Sequence, residues 1–413
     1  MKNNPNNLLE YPHKDSEQRQ KDQLYALLQV TRAINNNASA RDLFSIYEFI
    51  LNKQLGFSRI AYCSFDEIWK WPVHVDADFD ILRIKPERDL DGFDDLTVLE
   101  PSRDADMLEA FDVVIPVKHK GKALSYLLLG RLDQKGIKTL HKADLEFVQT
   151  ISNIISVAIE NKRLFKENVQ QEMMKRELEM AKEVQSMFIP SSLPHDEHFD
   201  FAAVYKPVRQ IGGDYYDFIR LSEREILFCM ADVSGKGVAA ALLMANFQAF
   251  LRARVSVNTD LQSLVSDLND HVVQASKGEK FITLFIARYT KESQMLEYVN
   301  AGHNPPVLCS GNEIMVLNLG TTGLGMLEQL HRLESGLIHI KHGSLLVCYT
   351  DGLVEQENEG GVDFGMEQLQ ELVLEHKQLS AASFNEMLIR HFTSHKGDQP
   401  SLDDVSLLTC RFY

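Results

Sequence analysis

The spacing of apolar residues changes several times along the chain. Residues 1–22 are polar and are predicted to be a flexible leader. From residue 23, apolar positions recur first at helical spacing and then in short continuous runs typical of buried strands. The helical positions are Leu24, Leu27, Leu28, Val30, Ile34 and then Leu43, Ile46, Phe49, Ile50 and Leu51, and the strand-like stretches are 57–65, 111–117 and 123–130. Residues 23–141 are therefore predicted to form a small α+β domain, whose last helix runs on to about residue 165.

A continuous helical pattern covers residues 142–188, which contain no proline or glycine, and Pro190 ends it. Apolar residues at positions 173, 180, 184 and 187 fit a heptad spacing, although Glu177 interrupts this seam. Two interpretations stay open: a long amphipathic helix that lies on its own domain, and an inter-domain coiled coil that pairs two chains. We favour the coiled coil and predict a homodimer through this helical linker.

Residues 189–413 alternate between strand and helix patterns, which favours one further domain with a substantial, mainly antiparallel sheet. The predicted strands are 199–205, 225–232, 281–289, 295–300, 307–309, 314–318, 344–351 and 405–412, and the predicted helices are 237–254, 261–275, 366–376 and 381–395.

Composition narrows the functional classes. The chain has 413 residues, with 59 acidic and 43 basic side chains and a formal net charge of −16. Such an excess of negative charge disfavours binding to nucleic acids and to anionic membranes. No apolar run approaches the roughly 18–20 residues that span a bilayer, and the N-terminus lacks the apolar core of a signal peptide. The five cysteines are dispersed, so we expect a reduced, cytoplasmic protein.

The candidate chemistry lies where aspartates meet strand ends. Asp214 follows two glycines, Asp232 and Asp351 close apolar strands, and Asp403 and Asp404 precede the last strand. Carboxylates gathered at one end of a sheet repel each other unless a cation neutralises them. Mg²⁺ and Mn²⁺ prefer oxygen ligands, and two such ions together promote displacement at phosphorus. Metal-assisted phosphoryl hydrolysis is therefore the prediction from the residues alone.

Other catalytic motifs do not match. The segment from Val233 to Gly237 lacks the first glycine of a phosphate-binding loop and has no Ser or Thr at its end. Tyr215 stands where cyclic-dinucleotide synthases have an acidic residue, and residues 142–188 contain no histidine for a phosphorelay. Neither a Gly-x-Ser-x-Gly elbow nor an HExxH motif occurs.

Five ordered motifs and an entry segment resemble the SpoIIE/RsbU-type branch of the metal-dependent PPM serine/threonine phosphatases. They are GGDYYD at 212–217, DVSGKG at 232–237, NAGHNPP at 300–306, YTDGLVE at 349–355 and DDVSL at 403–407, preceded by QSMFIPSSLP at 185–194. Residues 24 to about 165 resemble a GAF sensor domain more loosely, mainly through VVIPV at 113–117 and the strand at 127–130. The resemblance implies packed antiparallel sheets flanked by helices for residues 189–413.

The resemblance also assigns roles to residues. It implies Asp232, Asp214 and Asp351 as catalytic residues, and a site for two Mn²⁺ or Mg²⁺ ions with no other cofactor. Asp232 would bridge both ions, the carbonyl of Val233 would be a neighbouring metal contact, Asp214 would lie on one metal site, and Asp351 and Asp403 on the other. Residues expected to support these ligands or to touch substrate are Gly213, Asp217, Ser234, Gly235, Lys236, His303, Asn304, Gly352 and Asp404.

The expected function is a signal-regulated protein serine/threonine phosphatase. The implied reaction is attack of metal-bound water on phosphoserine or phosphothreonine, and the implied substrate is a STAS-type anti-sigma-factor antagonist. A small molecule or protein would signal through the GAF-like domain. Two alternatives stay open: a catalytically inactive phosphatase fold that serves as a scaffold, and a ligand-binding sensor that docks a partner protein.

Overall fold

The computed structural model describes residues 13–75, 80–99, 108, 110–119, 121–130 and 142–413. The chain divides into two compact units, Met1–Glu172 and Met173–Tyr413, and the second unit is described throughout. The division falls inside one long helix, so the predicted boundaries after residues 141 and 188 stay predictions. Helices combined with antiparallel sheets confirm the predicted α+β class.

The first unit packs helices against one antiparallel sheet, whose described strands lie in the order β2-β1-β5-β4-β3. Its elements are α1 (His13–Asn35), α2 (Ala40–Phe49) with a π-helical turn (Ile50–Gln54), β1 (Arg59–Asp66), β2 (Ile68–Val75), short helical turns Ile81–Arg83 and Pro86–Leu90, β3 (Thr97–Val98), β4 (Val113–His119), β5 (Lys122–Gly130) and α3 (Lys142–Ser186), which continues into the second unit.

The core of the first unit forms where α1, α2 and the start of α3 cover one face of this sheet. It includes Val30, Tyr47, Ile60, Leu127 and Ile151, all fully buried. The pattern of apolar residues predicted these elements because each presents one apolar face to this core.

Two details of the first unit differ from the sequence prediction. Helix α1 begins at His13, so it includes the last ten residues of the predicted leader, while residues 1–12 lie outside the described residues. Strand β2, which carries Trp69 and Trp71, was not predicted. It lies at the edge of the sheet with most positions at least partly exposed, so it has no run of buried apolar residues to reveal it.

The second unit contains two mainly antiparallel sheets, in which β13 pairs with β10 in parallel. One has the strand order β13-β10-β9-β8-β7 with β14 beside β10, and the other has the order β12-β11-β15-β16-β6. The strands are β6 (Phe199–Lys206), β7 (Tyr215–Arg220), β8 (Glu225–Val233), β9 (Ile282–Thr290), β10 (Met295–Ala301), β11 (Val307–Ser310), β12 (Glu313–Val316), β13 (Gly320–Thr321), β14 (Gly336–His339), β15 (Leu345–Tyr349) and β16 (Val405–Phe412).

Helices cover the outer faces of both sheets, so the unit is a four-layered sandwich. Helices α4 and α5 pack on the first sheet, and α7 and α8 pack on the second. The helices are α4 (Val238–Arg254), α5 (Leu261–Ser276), the single turn α6 (Asp351–Val354), α7 (Met366–His376) and α8 (Ala381–Lys396).

Alternate residues of the central strands enter different cores. On β8, Phe228 and Met230 point into the layer between the sheets, whereas Leu227 and Cys229 point toward α4 and α5. Successive side chains of a strand face opposite sides, so a strand that is covered on both faces is a continuous apolar run. This is why β8, β9, β15 and β16 were predictable from the sequence.

The same alternation sets the direction of the polar residues that follow. Asp232 lies two residues after Met230 on β8 and therefore faces the same side, toward the layer between the sheets. Ser406 lies two residues before Leu408 on β16 and faces that layer together with Leu408 and Cys410. Both side chains therefore lie at the end of the layer between the two sheets.

Among the described helices, none combines the length and the apolar character that a membrane crossing requires.

Candidate active site

Four separate segments of the second unit deliver carboxylates to one end of the sandwich. Asp214 immediately precedes β7, Asp232 lies on β8, and Asp403 and Asp404 precede β16. Asp351 was predicted to end a strand, but β15 ends at Tyr349 and Asp351 is the first residue of α6. The five acidic residues come from distant parts of the sequence and are brought together by the pairing of the strands.

These carboxylates influence one another electrostatically. Burial raises the pKa of Asp232 to about 7, and the Asp351, Asp403 and Asp404 carboxylates contribute to this increase, whereas a hydrogen bond from Asp214 opposes it. Burial and the neighbouring Asp403 also raise the pKa of Asp351. Like charges in a buried site disfavour ionisation, so this arrangement is costly without a compensating positive charge.

Asp214 is the most enclosed of the group, with 2% of its surface exposed. Its Oδ2 accepts hydrogen bonds from Thr350 Oγ1 at 2.9 Å and from Ser406 Oγ at 2.5 Å. Burial, followed by repulsion from Asp232, raises its pKa well above the usual range. The two hydroxyl donors fix the orientation of this side chain.

Asp404 supports the loop that leads to Asp214. Its Oδ1 accepts the Val208 backbone N–H at 2.8 Å, and its Oδ2 accepts the Gly213 backbone N–H at 3.1 Å. Burial raises the pKa of Asp404, and these two backbone donors partly offset the effect. Asp404 therefore uses both oxygens to hold protein backbone.

Lys236 is the cation closest to the acidic group. Its Nζ lies 2.7 Å from Asp403 Oδ2 and also donates to the Leu402 carbonyl at 2.7 Å. The Coulombic attraction of Lys236 opposes the increase in the pKa of Asp351 and of Asp404. Half-exposed at the rim, Lys236 offsets part of the acidic charge.

Two glycines allow the close approach of these segments. A Cβ on Gly213 would lie 2.8 Å from the Val233 carbonyl oxygen, and a Cβ on Gly352 would lie 2.2 Å from the Asp404 carbonyl oxygen. A side chain at either position would clash with backbone. Gly213 therefore brings the Asp214 loop against Val233, the residue whose carbonyl is a predicted metal ligand.

The donor set fits a hard divalent cation. Among the residues that the structure describes, no group of three His, Cys, Asp or Glu side chains lies close enough together to hold a metal ion without rearrangement. The neighbouring donors are nevertheless oxygens only, they are largely buried, and they raise each other's pKa values. Mg²⁺ and Mn²⁺ prefer such ligands and keep several waters, so a complete protein cage is not required.

Asp217 lies apart from this group, although the sequence placed it among the supporting candidates. Its fully buried carboxylate accepts hydrogen bonds from Arg252 Nε at 2.8 Å, Arg252 Nη2 at 2.6 Å and Tyr215 Oη at 2.5 Å. These contacts tie β7 to the last turn of α4. The role of Asp217 in the structure is therefore to fix this helix on the sheet.

Of the remaining candidates, Ser234 and Gly235 belong to the loop after β8, whereas His303 and Asn304 are buried or half-buried in another loop. Ser234 exchanges hydrogen bonds with Phe281, through Ser234 N to the Phe281 carbonyl at 2.9 Å and Phe281 N to Ser234 Oγ at 3.0 Å. Gly235 lies in the exposed turn after it. His303 is 4% exposed and its Nδ1 lies 2.9 Å from Thr283 Oγ1, while Asn304 is half-buried in the same loop.

Three functional neighbours were not singled out from the sequence. Thr350 and Ser406 orient Asp214, and both lie inside motifs that were recognised only for their aspartates. Gln185 Nε2 donates to the Gly212 carbonyl at 2.7 Å, which ties the end of α3 to the glycine pair before Asp214. Hydroxyl and amide side chains in buried strands or helices are too common to identify without knowing what they face.

Several known proteins are similar to parts of this chain. Residues 222–413 match the family model of Stage II sporulation protein E (SpoIIE). The chain is 31% identical to phosphoserine phosphatase RsbU of Bacillus subtilis strain 168 over 214 residues, which cover 52% of this chain and 63% of RsbU. It is 24% identical to protein IcfG of Synechocystis sp. over 325 residues, 71% of this chain and 50% of IcfG. The alignments therefore span between half and two thirds of these curated relatives.

A solved structure shows the same fold. The SiaA-PP2C domain of Pseudomonas aeruginosa superposes with a TM-score of 0.54 at 20% identity, covering 59% of this chain and 99% of that domain. The layered sandwich with its acidic end is thus a PP2C-type phosphatase fold. Within that class, the family model that residues 222–413 resemble is that of SpoIIE. The GAF-like resemblance of the first unit stays a prediction.

We expect Arg252→Ala to destabilise the protein through Asp217. The substitution would leave a fully buried carboxylate without its charged partner, at a cost of about 2–3 kcal/mol in the free energy of unfolding. Urea unfolding followed by circular dichroism measures this cost. Arg390→Ala is the matched control, because the Arg390–Glu386 pair is exposed on both sides and should contribute less than about 1 kcal/mol. Equal effects of the two substitutions would contradict this role for Asp217.

Proposed function

We propose that this protein is a metal-dependent protein serine/threonine phosphatase. The observation that carries the proposal is the convergence of Asp214, Asp232, Asp351 and Asp403 at one end of a PP2C-type sandwich. The printed name of the relative RsbU, a phosphoserine phosphatase, supports the choice of substrate group. The proposal covers the activity of the whole chain, whose relatives are matched only in part.

The proposed metal ligands are those that the sequence resemblance implies. Asp232 would contact both ions, with the Val233 carbonyl as a neighbouring contact, Asp214 would hold one ion, and Asp351 and Asp403 the other. Bound Mn²⁺ or Mg²⁺ would supply a water of lowered pKa and would neutralise charge on the phosphoryl group. Asp232, Asp214 and Asp351 are the residues on which we expect the activity to depend.

The protein's own residues then orient the site and favour the phosphate. Thr350 and Ser406 hold the Asp214 carboxylate in one orientation, and Asp404 holds the backbone before it. Lys236 lies at the rim, and a Cβ on Gly237 would be 3.6 Å from Arg209 Nη1, so two cations flank the loop that follows Asp232. A phosphate approaching this rim would meet positive charge despite the acidic interior.

A purified full chain should hydrolyse a phosphoserine peptide in the presence of Mn²⁺ and lose this activity on chelation. Asp232→Asn or Asp351→Asn should lower kcat by at least about 100-fold, because charge stabilisation by a metal contributes several kcal/mol. Asp270→Asn, at an exposed position on α5, is the matched control and should leave the rate unchanged.

The same assay separates the alternative functions. An inactive scaffold or a pure ligand sensor would show no Mn²⁺-dependent hydrolysis in the wild-type chain. Full activity in Asp232→Asn would also contradict the proposed site.

The finer features of the function rest on the resemblance. We propose that the substrate is a phosphorylated STAS-type anti-sigma-factor antagonist, and that the protein works in the cytoplasm without contacting nucleic acid or membrane. The acidic net charge of −16 is consistent with the last two points.

We further propose that the chain forms a homodimer through a coiled coil in the second half of α3. Met173, Met180 and Val184 expose 59%, 58% and 50% of their surface, although they lie at heptad spacing on one side of the helix. An apolar stripe that its own chain leaves exposed is a surface suited to a second copy.

The double substitution Met173→Glu and Met180→Glu should convert the dimer to a monomer in light scattering. Two negative charges on each chain would then replace apolar residues of the heptad seam. Met174→Glu is a matched control on the same helix, with 64% exposure but outside the seam, and should stay dimeric. A dimer that survives the double substitution would contradict the coiled coil.

We propose that the upstream signal is a small molecule that binds in a cavity of the first unit. This cavity of about 360 Å³ lies between α2, β1, β2 and α3. Its walls are apolar at Phe44, Phe65 and Leu124. Four cations and two acids line it, namely Lys70, Lys162, Arg163 and Lys166 against Asp66 and Glu160. A net positive cavity with aromatic walls, in an otherwise acidic protein, suits a small organic anion.

The probe for this cavity is 8-anilinonaphthalene-1-sulfonate, an aromatic anion whose fluorescence rises on binding. Lys166→Glu should weaken its saturable binding to the full chain about fivefold, because reversing an exposed charge changes the interaction by about 1 kcal/mol. Lys175→Glu, on the same helix but outside the cavity lining, should leave the affinity unchanged. Equal affinities of both variants would remove the case for an anion site.

A further inference from the structure

His303 occupies the junction of the two sheets at the acidic end of the sandwich. Its side chain is 4% exposed, and its Nδ1 lies 2.9 Å from Thr283 Oγ1. Its backbone N–H donates to Asn300 Oδ1 at 2.8 Å, and Asn300 Nδ2 in turn donates to the Leu317 carbonyl at 3.1 Å. The ring is therefore fixed both through its own nitrogen and through the backbone that carries it.

The two neighbours of the ring belong to the strands that carry the carboxylates. Thr283 on β9 is the cross-strand partner of Asp232 on β8. The backbone of Tyr349, the last residue of β15, also interacts with the imidazole. Tyr349 is followed by Thr350, which orients Asp214, and by Asp351. His303 thus lies between the strand end that holds Asp232 and the strand end that leads to Asp351.

The imidazole is neutral at any pH at which the protein would work. Burial lowers the pKa of His303 to about 3, and the Tyr349 backbone opposes this decrease only in part. A neutral ring adds no positive charge beside the carboxylates, so it does not compete with a cation for them. The neutral ring also has no imidazolium proton to donate as a general acid.

One ring nitrogen lacks a good partner. His303 Nε2 is buried, and its approach to the Tyr349 backbone does not have the geometry of a full hydrogen bond. A buried polar atom without a well-formed hydrogen bond costs up to about 1–3 kcal/mol, which an apolar residue of similar size would avoid. A polar side chain kept at such a cost points to a functional constraint at that position. With so little exposure, that constraint is not contact with a protein substrate.

We propose that His303 is a positioning residue of the phosphatase site: it spans the gap between the two sheets and sets the separation of Asp232 and Asp351. The kinetic part of this inference rests on the proposed function, whereas its effect on metal binding can be measured without substrate.

The test compares His303→Leu, His303→Asn and His303→Gln in the full chain. Binding of Mn²⁺ alone is followed by loss of the sharp electron paramagnetic resonance signal of the free ion. His303→Leu should weaken Mn²⁺ binding about 10–100-fold, the usual effect of removing a residue that orients metal ligands. His303→Asn keeps a polar group near Thr283 and His303→Gln keeps one near Tyr349, so each should recover part of the affinity.

Kinetics with a phosphoserine peptide provide a second readout. His303→Asn should lower kcat and leave KM within about twofold, and the pH dependence should keep its shape because the ring transfers no proton. Loss of one limb of the pH profile would replace positioning with proton transfer and overturn the inference.

The control is His271→Leu, which removes another histidine of the same unit. His271 stacks on Phe250 at 3.9 Å and contacts Asn246 at 2.7 Å, away from the carboxylates, so Mn²⁺ binding should not change. Wild-type binding and turnover in all three His303 variants would overturn the positioning role alone. If His303→Leu does not fold, the Asn and Gln variants decide the question. A wild-type chain that binds no Mn²⁺ would reject the proposed function together with this inference.

Discussion

Repulsion between carboxylates at one buried end of the sandwich is the constraint on which the second unit depends. Asp214, Asp232 and Asp351 raise one another's pKa values or have them raised by acidic neighbours, in addition to the effect of burial. Such a group lowers the stability of the fold unless positive charge compensates it. The fold provides part of this compensation through Lys236, and a divalent cation would provide the rest. Stability and function are thus linked through the same charges.

Close backbone packing is what allows this group to form. Gly213 lies against the Val233 carbonyl and Gly352 against the Asp404 carbonyl, so four chain segments approach more closely than side chains would permit. Hydroxyl donors at Thr350 and Ser406 then fix Asp214. These groups are rigid because they continue the inner faces of strands that are packed on both sides. Catalytic geometry of this kind is usually most accurate on such elements.

The sequence prediction succeeded where burial is two-sided and failed where it is partial or depends on distant partners. The apolar runs of β8, β9 and β15 identify those strands without ambiguity. Strand β7 was missed because it contains Asp217, whose burial makes sense only once Arg252, 35 residues later, is seen to pair with it. Asp217 was predicted to support the site because it is close to Asp214 in sequence. Successive residues of a strand face opposite sides, so two residues that are close along the chain need not share an environment.

The amino-acid sequence by itself determined the α+β class, the long helix and the identity of the acidic residues, because periodicity and motif spacing are local properties. Tertiary structure alone decided which of those residues meet. It brings Thr350 and Ser406 to Asp214, directs Asp404 toward backbone N–H groups, and buries His303 between the sheets. The physical reason is that strand register and sheet packing join residues that are up to 196 positions apart, and no local pattern carries that information.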